Sequence, residues 1–220
     1  MNTTIILIRH AESFKNLKDI HGGHGEALTD YGKYQTNILS NKLKRIGVCS
    51  SKSVIIYAEN VQTKETAKII SKNLKIPTKL LSDYRPLHLG IVHGLSNAEV
   101  AEQHPEAFAL LQQWRKKEIE ICDLKIPKME SPEEFYLRGL RILQRLDKGK
   151  FNIFIATNSL YILLLNILLG NSCEKGGGYR HFDIQNCGIS VFLSSFNDKF
   201  DLVPNYTNVQ DVLLYRQTLK

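Results

Sequence analysis

The sequence predicts an α/β fold: a three-layer α/β/α sandwich around a mostly parallel sheet. Three observations carry that prediction. Short apolar, β-branched runs without alternation recur at Thr4–Ile8, Ser53–Ala58, Thr78–Leu81 and Phe151–Ala156, which is how strands buried on both faces read. Helical patterns follow these runs in turn, as in repeated βα units. The chain of 220 residues is 43% hydrophobic and 23% charged, ordinary for a globular chain and enough to bury a core without disulfides or metal.

The elements follow in order. After the first strand comes a polar stretch ending in Gly22-Gly23-His24-Gly25. Thr29 then caps a helix whose apolar stripe runs through Ile38, Leu39 and Leu43, with Gly47 at its end. The second strand leads into a helix over Asn60–Leu74, stopped before Pro77. The segment 82–130 holds Pro86, Pro105 and Pro127 and reads as a helical insertion or cap within a single domain spanning 1–220. Its helices are Ser96–Gln103, with Ser96 and Glu99 as a capping box, and Glu106–Lys117, with Trp114 on the apolar face. Ser131-Pro132-Glu133-Glu134 opens a helix to about Leu146: a capping Ser, Pro at the first position, acids in the first turn. The fourth strand precedes an apolar helix over Leu160–Leu169, and Gly188–Leu193 and Asp201–Val203 form a closing pair of strands.

Composition also sets limits on function. Twenty-nine Lys and Arg against 22 Asp and Glu give a net charge of +7, which suits an anionic ligand but equally a merely soluble protein. No basic patch interleaved with aromatics marks a nucleic-acid binder, and Leu160–Leu169 is too short for a membrane span. Cys49, Cys122, Cys173 and Cys187 have neither CxxC nor metal-ligand spacing, so the expectation is reduced thiols, no metal, no cofactor and a cytoplasmic protein without a signal peptide. The Gly-rich run Lys175–Tyr179 reads as a flexible loop and Arg115-Lys116-Lys117 as a solvated helix end. The oligomeric state is left open, a homodimer included.

In such sheets ligands bind beyond the carboxyl ends of the strands. The first strand ends in Arg9-His10. A neutral imidazole there can accept a phosphoryl group, and a neighbouring guanidinium can clamp its oxygens.

Arg9-His10-x-Glu12-Ser13-x-x-Asn16 at a strand end resembles the histidine phosphatase superfamily, the phosphoglycerate mutase-like fold. The resemblance continues through Leu28-Thr29-x-x-Gly32-x-x-Gln35, Thr66-Ala67, Gly90-x-x-x-Gly94-Leu95 with Glu99 and Pro105, and Glu130-Ser131 with Phe135 and Arg138. It implies a phosphohistidine at His10 with Arg9 beside it. It also marks departures. The family's second phosphate-binding Arg is here Gln62, its second His is Asn158, and its proton-donating Glu is Pro86. Losing one positioned donor costs about 100- to 1000-fold in rate, and losing a general acid about 100- to 10,000-fold.

On this reading His10 is the nucleophile, Arg9 its partner, and His88 a surrogate acid two residues beyond Pro86. Ser13, Asn16, His21, Gln62, His93 and Asn158 are the substrate-binding candidates; Lys64, Arg85 and His24 are further ones. The expected activity is hydrolysis of a small anionic phosphomonoester. The alternatives are a ligand- or protein-binding pseudo-phosphatase, or an altered reaction on a less charged substrate.

Overall fold

The computed structural model describes residues 3–196 and 202–205. Its sheet has six strands: β1 (Thr3–Arg9), β2 (Ser53–Tyr57), β3 (Thr78–Leu80), β4 (Phe151–Ala156), β5 (Ile189–Phe196) and β6 (Leu202–Asn205). They lie in the order β3-β2-β4-β1-β5-β6. The first four are mutually parallel, with Arg9 opposite Ala156 and Tyr57 opposite Ile155; β5 runs antiparallel to β1, and β6 antiparallel to β5. The last strand begins one residue after the predicted Asp201, which lies outside the described residues.

The helices are α1 (Phe14–Leu17), α2 (Asp30–Arg45), α3 (Val61–Leu74), α4 (Asn97–Gln103), α5 (Pro105–Arg115), α6 (Pro132–Leu143) and α7 (Asn158–Leu168). The single-turn α1 was hidden in the stretch read as polar loop. Helix α7 starts two residues before the predicted Leu160, because its first turn is polar and faces the site described below. No helix among the described residues is long and apolar enough to cross a membrane.

The pleat of β1 divides the core. Ile6 and Ile8 join Leu39 and Leu43 of α2 and Ala67 and Ile70 of α3 on one face. Ile5 and Leu7 join α6, α7 and the mid-chain residues Tyr84, Leu87, Val100, Leu111 and Trp114 on the other. Successive side chains of a strand point to opposite faces, so one continuous apolar run serves both layers. Segment 82–130 thus packs into the core of its layer. The buried Asn166 that interrupts α7 is fully bonded: its amide nitrogen donates to the carbonyls of Ile162 and Arg180 at 2.8 and 3.0 Å, and its oxygen accepts from Asn171 and the Arg180 amide.

One loop and one helix end differ from the sequence expectation. The run 175–179 is organised around Glu120, whose carboxylate accepts the backbone N–H groups of Gly176 and Gly178 at 2.6 and 3.0 Å. A buried carboxylate needs such donors, and a Gly-rich turn can supply them. Arg115 is half-buried and turns inward beside Trp114, while Lys116 and Lys117 are exposed as expected.

Candidate active site

Strand β4 lies between β2 and β1, so the carboxyl ends of three parallel strands stand side by side. Arg9 and His10 close β1, Asn60 and Gln62 follow β2, and Thr157 and Asn158 follow β4. All six line a cavity of about 400 Å³, together with Lys15, Asn16 and His21 after β1, Pro86, Trp114 and Arg115 from the mid-chain segment, and His181 and Asn186 before β5.

His10 is 4% exposed and held from several sides. Its backbone N–H donates to Ala156 at 3.0 Å and its carbonyl accepts from Asn186 at 2.9 Å. Its ring Nδ1 lies 2.7 Å from the carbonyl oxygen of Ala11. A carbonyl can only accept, so Nδ1 carries the proton and Nε2 keeps its lone pair. Burial, reinforced by the Arg9 charge, pushes the His10 pKa down to about 3, so the ring is neutral at physiological pH. Arg9 donates one Nη to the carbonyl of Ile184, and its buried Nε has no partner. Burial lowers its pKa to about 10, which still leaves it cationic at neutral pH.

The neutral residues are as telling. Gln62 is 2% exposed and its Oε1 has no hydrogen-bond partner. The side-chain oxygens of Asn60, Thr157 and Asn158 are likewise buried and unpartnered. Buried polar atoms are nearly always bonded, yet Asn60, Gln62, Thr157 and Asn158, each with an unpartnered side-chain oxygen, all line this one cavity. Asn60 and Thr157 are also the N-caps of α3 and α7, and neither caps with its side chain. The partial positive ends of two helices therefore meet the cavity without an internal partner, an arrangement that favours an anion. Asn16 spends its oxygen on the backbone and hydroxyl of Ser13, both at 3.0 Å, which leaves its amide nitrogen for a ligand.

Three cations line the cavity: Arg9, Lys15 and Arg115, and among the described residues none has a carboxylate within ion-pair distance. Lys15 donates to the carbonyl of Gly22. Arg115 donates to Asn97 Oδ1 at 3.2 Å, and His21 Nε2 donates to the same oxygen at 2.8 Å. Burial lowers the pKa of Lys15, Arg115 and His21. Sequence reasoning missed Lys15, Arg115 and His181. For Arg115 a signal existed: it lies four residues after the buried Leu111, on the same helix face.

Of the sequence candidates, Arg9, His10, Asn16, His21, Gln62 and Asn158 meet at the cavity, whereas Ser13, His88 and His93 are not among its lining residues. Ser13 is buried against Asn16. His88 is exposed and stacks on His93 with ring centroids 4.4 Å apart. His93 Nε2 accepts the Gly23 N–H at 2.9 Å, holding the loop over 21–25. His24, Lys64 and Arg85 also stand off the lining. Pro86 does line it. Its segment is pinned by the buried Arg138, which donates to the carbonyls of Asp83 and Arg85 at 2.9 and 2.6 Å and pairs with both carboxylate oxygens of Glu130 at 2.7 Å. No cluster of three or more His, Cys, Asp or Glu among the described residues is placed to hold a metal ion.

Comparison with known proteins agrees with this fold. The chain is 25% identical over 191 residues to the "Probable phosphoglycerate mutase GpmB" of Photorhabdus laumondii, covering 84% of this chain and 82% of that one. It is 25% identical over 172 residues to the rat 6-phosphofructo-2-kinase/fructose-2,6-bisphosphatase 1, covering 78% of this chain but 34% of that protein. Among solved structures, a mycobacterial glucosyl-3-phosphoglycerate phosphatase complexed with VO3 superposes with a TM-score of 0.74 at 16% identity, covering 93% of this chain and 98% of that one. The alpha-ribazole phosphatase of Shigella flexneri gives 0.68 at 19% identity, covering 93% and 96%. These two show the shared fold. Residues 5–203 match the sequence profile of the histidine phosphatase superfamily, branch 1, and the chain belongs to that family.

Proposed function

We propose that the protein hydrolyses a small phosphomonoester through a phosphohistidine at His10. The observation that carries this reading is the state of His10: a neutral ring, its Nδ1–H spent on Ala11, lining a cavity where unpaired cations and two uncapped helix N-termini converge. Nε2 attacks phosphorus, Arg9 takes the equatorial oxygens through its guanidinium, and the amides of Asn16, Gln62 and Asn158 supply neutral donors. Transferring phosphoryl groups need charge stabilisation above all. With Gln62 and Asn158 neutral, Lys15 and Arg115 restore part of that charge from other elements of the fold. The relatives support the reading, being named as phosphatases or a mutase.

The test is a panel of phosphomonoesters offered to the native protein and to His10→Ala, with the phosphorylated histidine sought by mass spectrometry at low pH. Turnover and label that vanish together in the variant support the proposal. Equal background rates and no label in either protein would defeat it and favour the second reading, a ligand-binding pseudo-phosphatase. The observation on that side is Pro86: where the family has an acid, the cavity wall has a side chain without a polar atom.

A further inference from the structure

We infer that Lys15 is the proton donor of this site: its ammonium protonates the departing ester oxygen, which Pro86 cannot do. The inference rests on the phosphohistidine reading above and names a further catalytic residue for it.

An alkyl phosphate loses an alkoxide unless its ester oxygen is protonated as the bond breaks, and an alkoxide is a poor leaving group. The donor must line the cavity and hold a proton it can release. Lys15 meets both conditions. It lies on α1, five residues after His10, and lines the same cavity. Its charge reaches the His10 ring and lowers the affinity of that ring for a proton. Its Nζ donates to the carbonyl of Gly22, and no carboxylate among the described residues stands within ion-pair distance of it. An ammonium carries three hydrogens, so two remain for a ligand. Burial lowers the Lys15 pKa, against the charge of Glu26, and so eases release of the proton.

The amine is also held in place. The His21 N–H donates to the Leu95 carbonyl at 2.8 Å, the His21 carbonyl accepts from Gly94 at 2.6 Å, and the Gly23 N–H bonds to His93 Nε2 at 2.9 Å. Gly22 therefore sits on a fastened loop, and its carbonyl fixes where the ammonium stands. Arg9 is anchored elsewhere, on the carbonyl of Ile184 ahead of β5. The two cations thus reach the cavity from separate segments, Arg9 for the equatorial oxygens and Lys15 for the departing one.

Other groups at the cavity are poorer donors. His10 is the nucleophile. Asp19 is exposed, and it acts on Arg115 as an anion. The Asn97 oxygen accepts from both Arg115 and His21 Nε2, so His21 has its hydrogen occupied and its Nδ1 is a lone pair. His181 is kept neutral by burial, with a pKa of about 4, and burial holds the Tyr179 phenol well above its ordinary value. A guanidinium keeps its proton more firmly than an amine does.

The steps balance. The Nε2 lone pair of His10 forms the N–P bond while the P–O ester bond breaks. The bonding pair on the departing oxygen takes a proton from Lys15 Nζ, giving a neutral alcohol and a neutral amine. A water oxygen then attacks phosphorus and gives its proton to that amine. The P–N bond breaks with its pair returning to Nε2, and Lys15 is again an ammonium.

The experiment measures kcat/KM for phenyl phosphate and benzyl phosphate, whose leaving groups differ far more in basicity than in shape, in the native protein and in Lys15→Arg. A positioned acid levels such a pair, so the native rates should lie within about tenfold of each other. Phosphorylated His10 should form from both. The variant keeps a cation but has no readily released proton. Its benzyl rate should fall at least about 100-fold, with a far smaller fall for the phenyl ester. If Lys15→Arg does not fold, Lys15→Gln is compared in the same way, since the ratio of the two esters cancels a loss of charge common to both. A native gap of about 100-fold or more, or a ratio that Lys15→Arg leaves unchanged, would overturn the inference and, with His10 labelled, leave the phosphohistidine standing. No label from either ester in the native protein would overturn both.

Discussion

The imidazole Nδ1–H of His10 donates to the carbonyl oxygen of Ala11, the next residue in the chain, across 2.7 Å. That bond sets the tautomer and orients the ring, and burial keeps it neutral. The consequence for stability has a definite sign. The unfolded ring takes a proton near pH 6.5, whereas the folded ring refuses it down to about 3. Between those values the unfolded state binds more protons, so stability falls as pH falls. His10→Asn can keep the donor to Ala11 while removing both the titration and the nucleophile. Between pH 7 and pH 5 the native protein should lose about 2 kcal/mol more than this variant, read by urea unfolding.

Gly25 sits at φ +89°, and a β-carbon there would overlap the Gln62 carboxamide oxygen. Gly23, two residues earlier, has φ +79° and open space around it. Alanine at either position carries similar backbone strain, about 1–2 kcal/mol. Gly25→Ala should also displace Gln62 and weaken vanadate binding about tenfold or more, the worth of a hydrogen bond to a charged group. Gly23→Ala should lower the melting temperature comparably and leave vanadate affinity intact. Titration calorimetry beside thermal unfolding separates the two effects.

Arg138 and Glu130 are 4% and 9% exposed in their side chains and are joined by a forked pair of bonds. Removing one partner strands a buried charge, at a cost of about 3–5 kcal/mol. Arg138→Ala should show that loss in urea unfolding, whereas the paired replacement Glu130→Gln with Arg138→Met should recover much of it. The single variant also frees the carbonyls of Asp83 and Arg85, so protease cleavage in the 83–86 segment should rise.

His93 holds the loop over 21–25 by accepting the Gly23 amide hydrogen, and Gly22 packs directly on its ring. Burial and the charges of His88, Lys15 and His24 lower its pKa. Protonation would consume the lone pair, so the latch holds at neutral pH and releases as pH falls through that depressed value. In mild acid the protection factor of the Gly23 amide, its exchange rate taken relative to the intrinsic rate at the same pH, should fall in the native protein as His93 takes up its proton. His93→Gln keeps an acceptor and should remain protected there, while His93→Leu should be unprotected at every pH.

Much of the fold was legible because its signals are local. A short continuous β-branched run reads as a strand covered on both sides, and Ser131-Pro132 followed by acids reads as a helix start. The four-residue turn α1 (Phe14–Leu17) is too short to show a helical period, and the early start of α7 was not legible because Asn158 and Ser159 are polar. The ordered loop at 175–179 was missed for a similar reason: its carboxylate partner, Glu120, is more than fifty residues away in the chain.

The site divides the same way. The sequence by itself determined that Arg9-His10 ends a buried strand and that Gln62, Pro86 and Asn158 depart from the family pattern. Only the tertiary structure decided which residues share a cavity with His10. That outcome depends on β4 lying between β2 and β1, and on the face of α5 that meets the sheet. Strand order and helix rotation are set by the burial of whole faces at once, which no local pattern encodes. Hence Arg115 and Lys15, spaced a hundred residues apart, stand at one cavity, while His88, two residues from Pro86, is exposed and not among its lining residues.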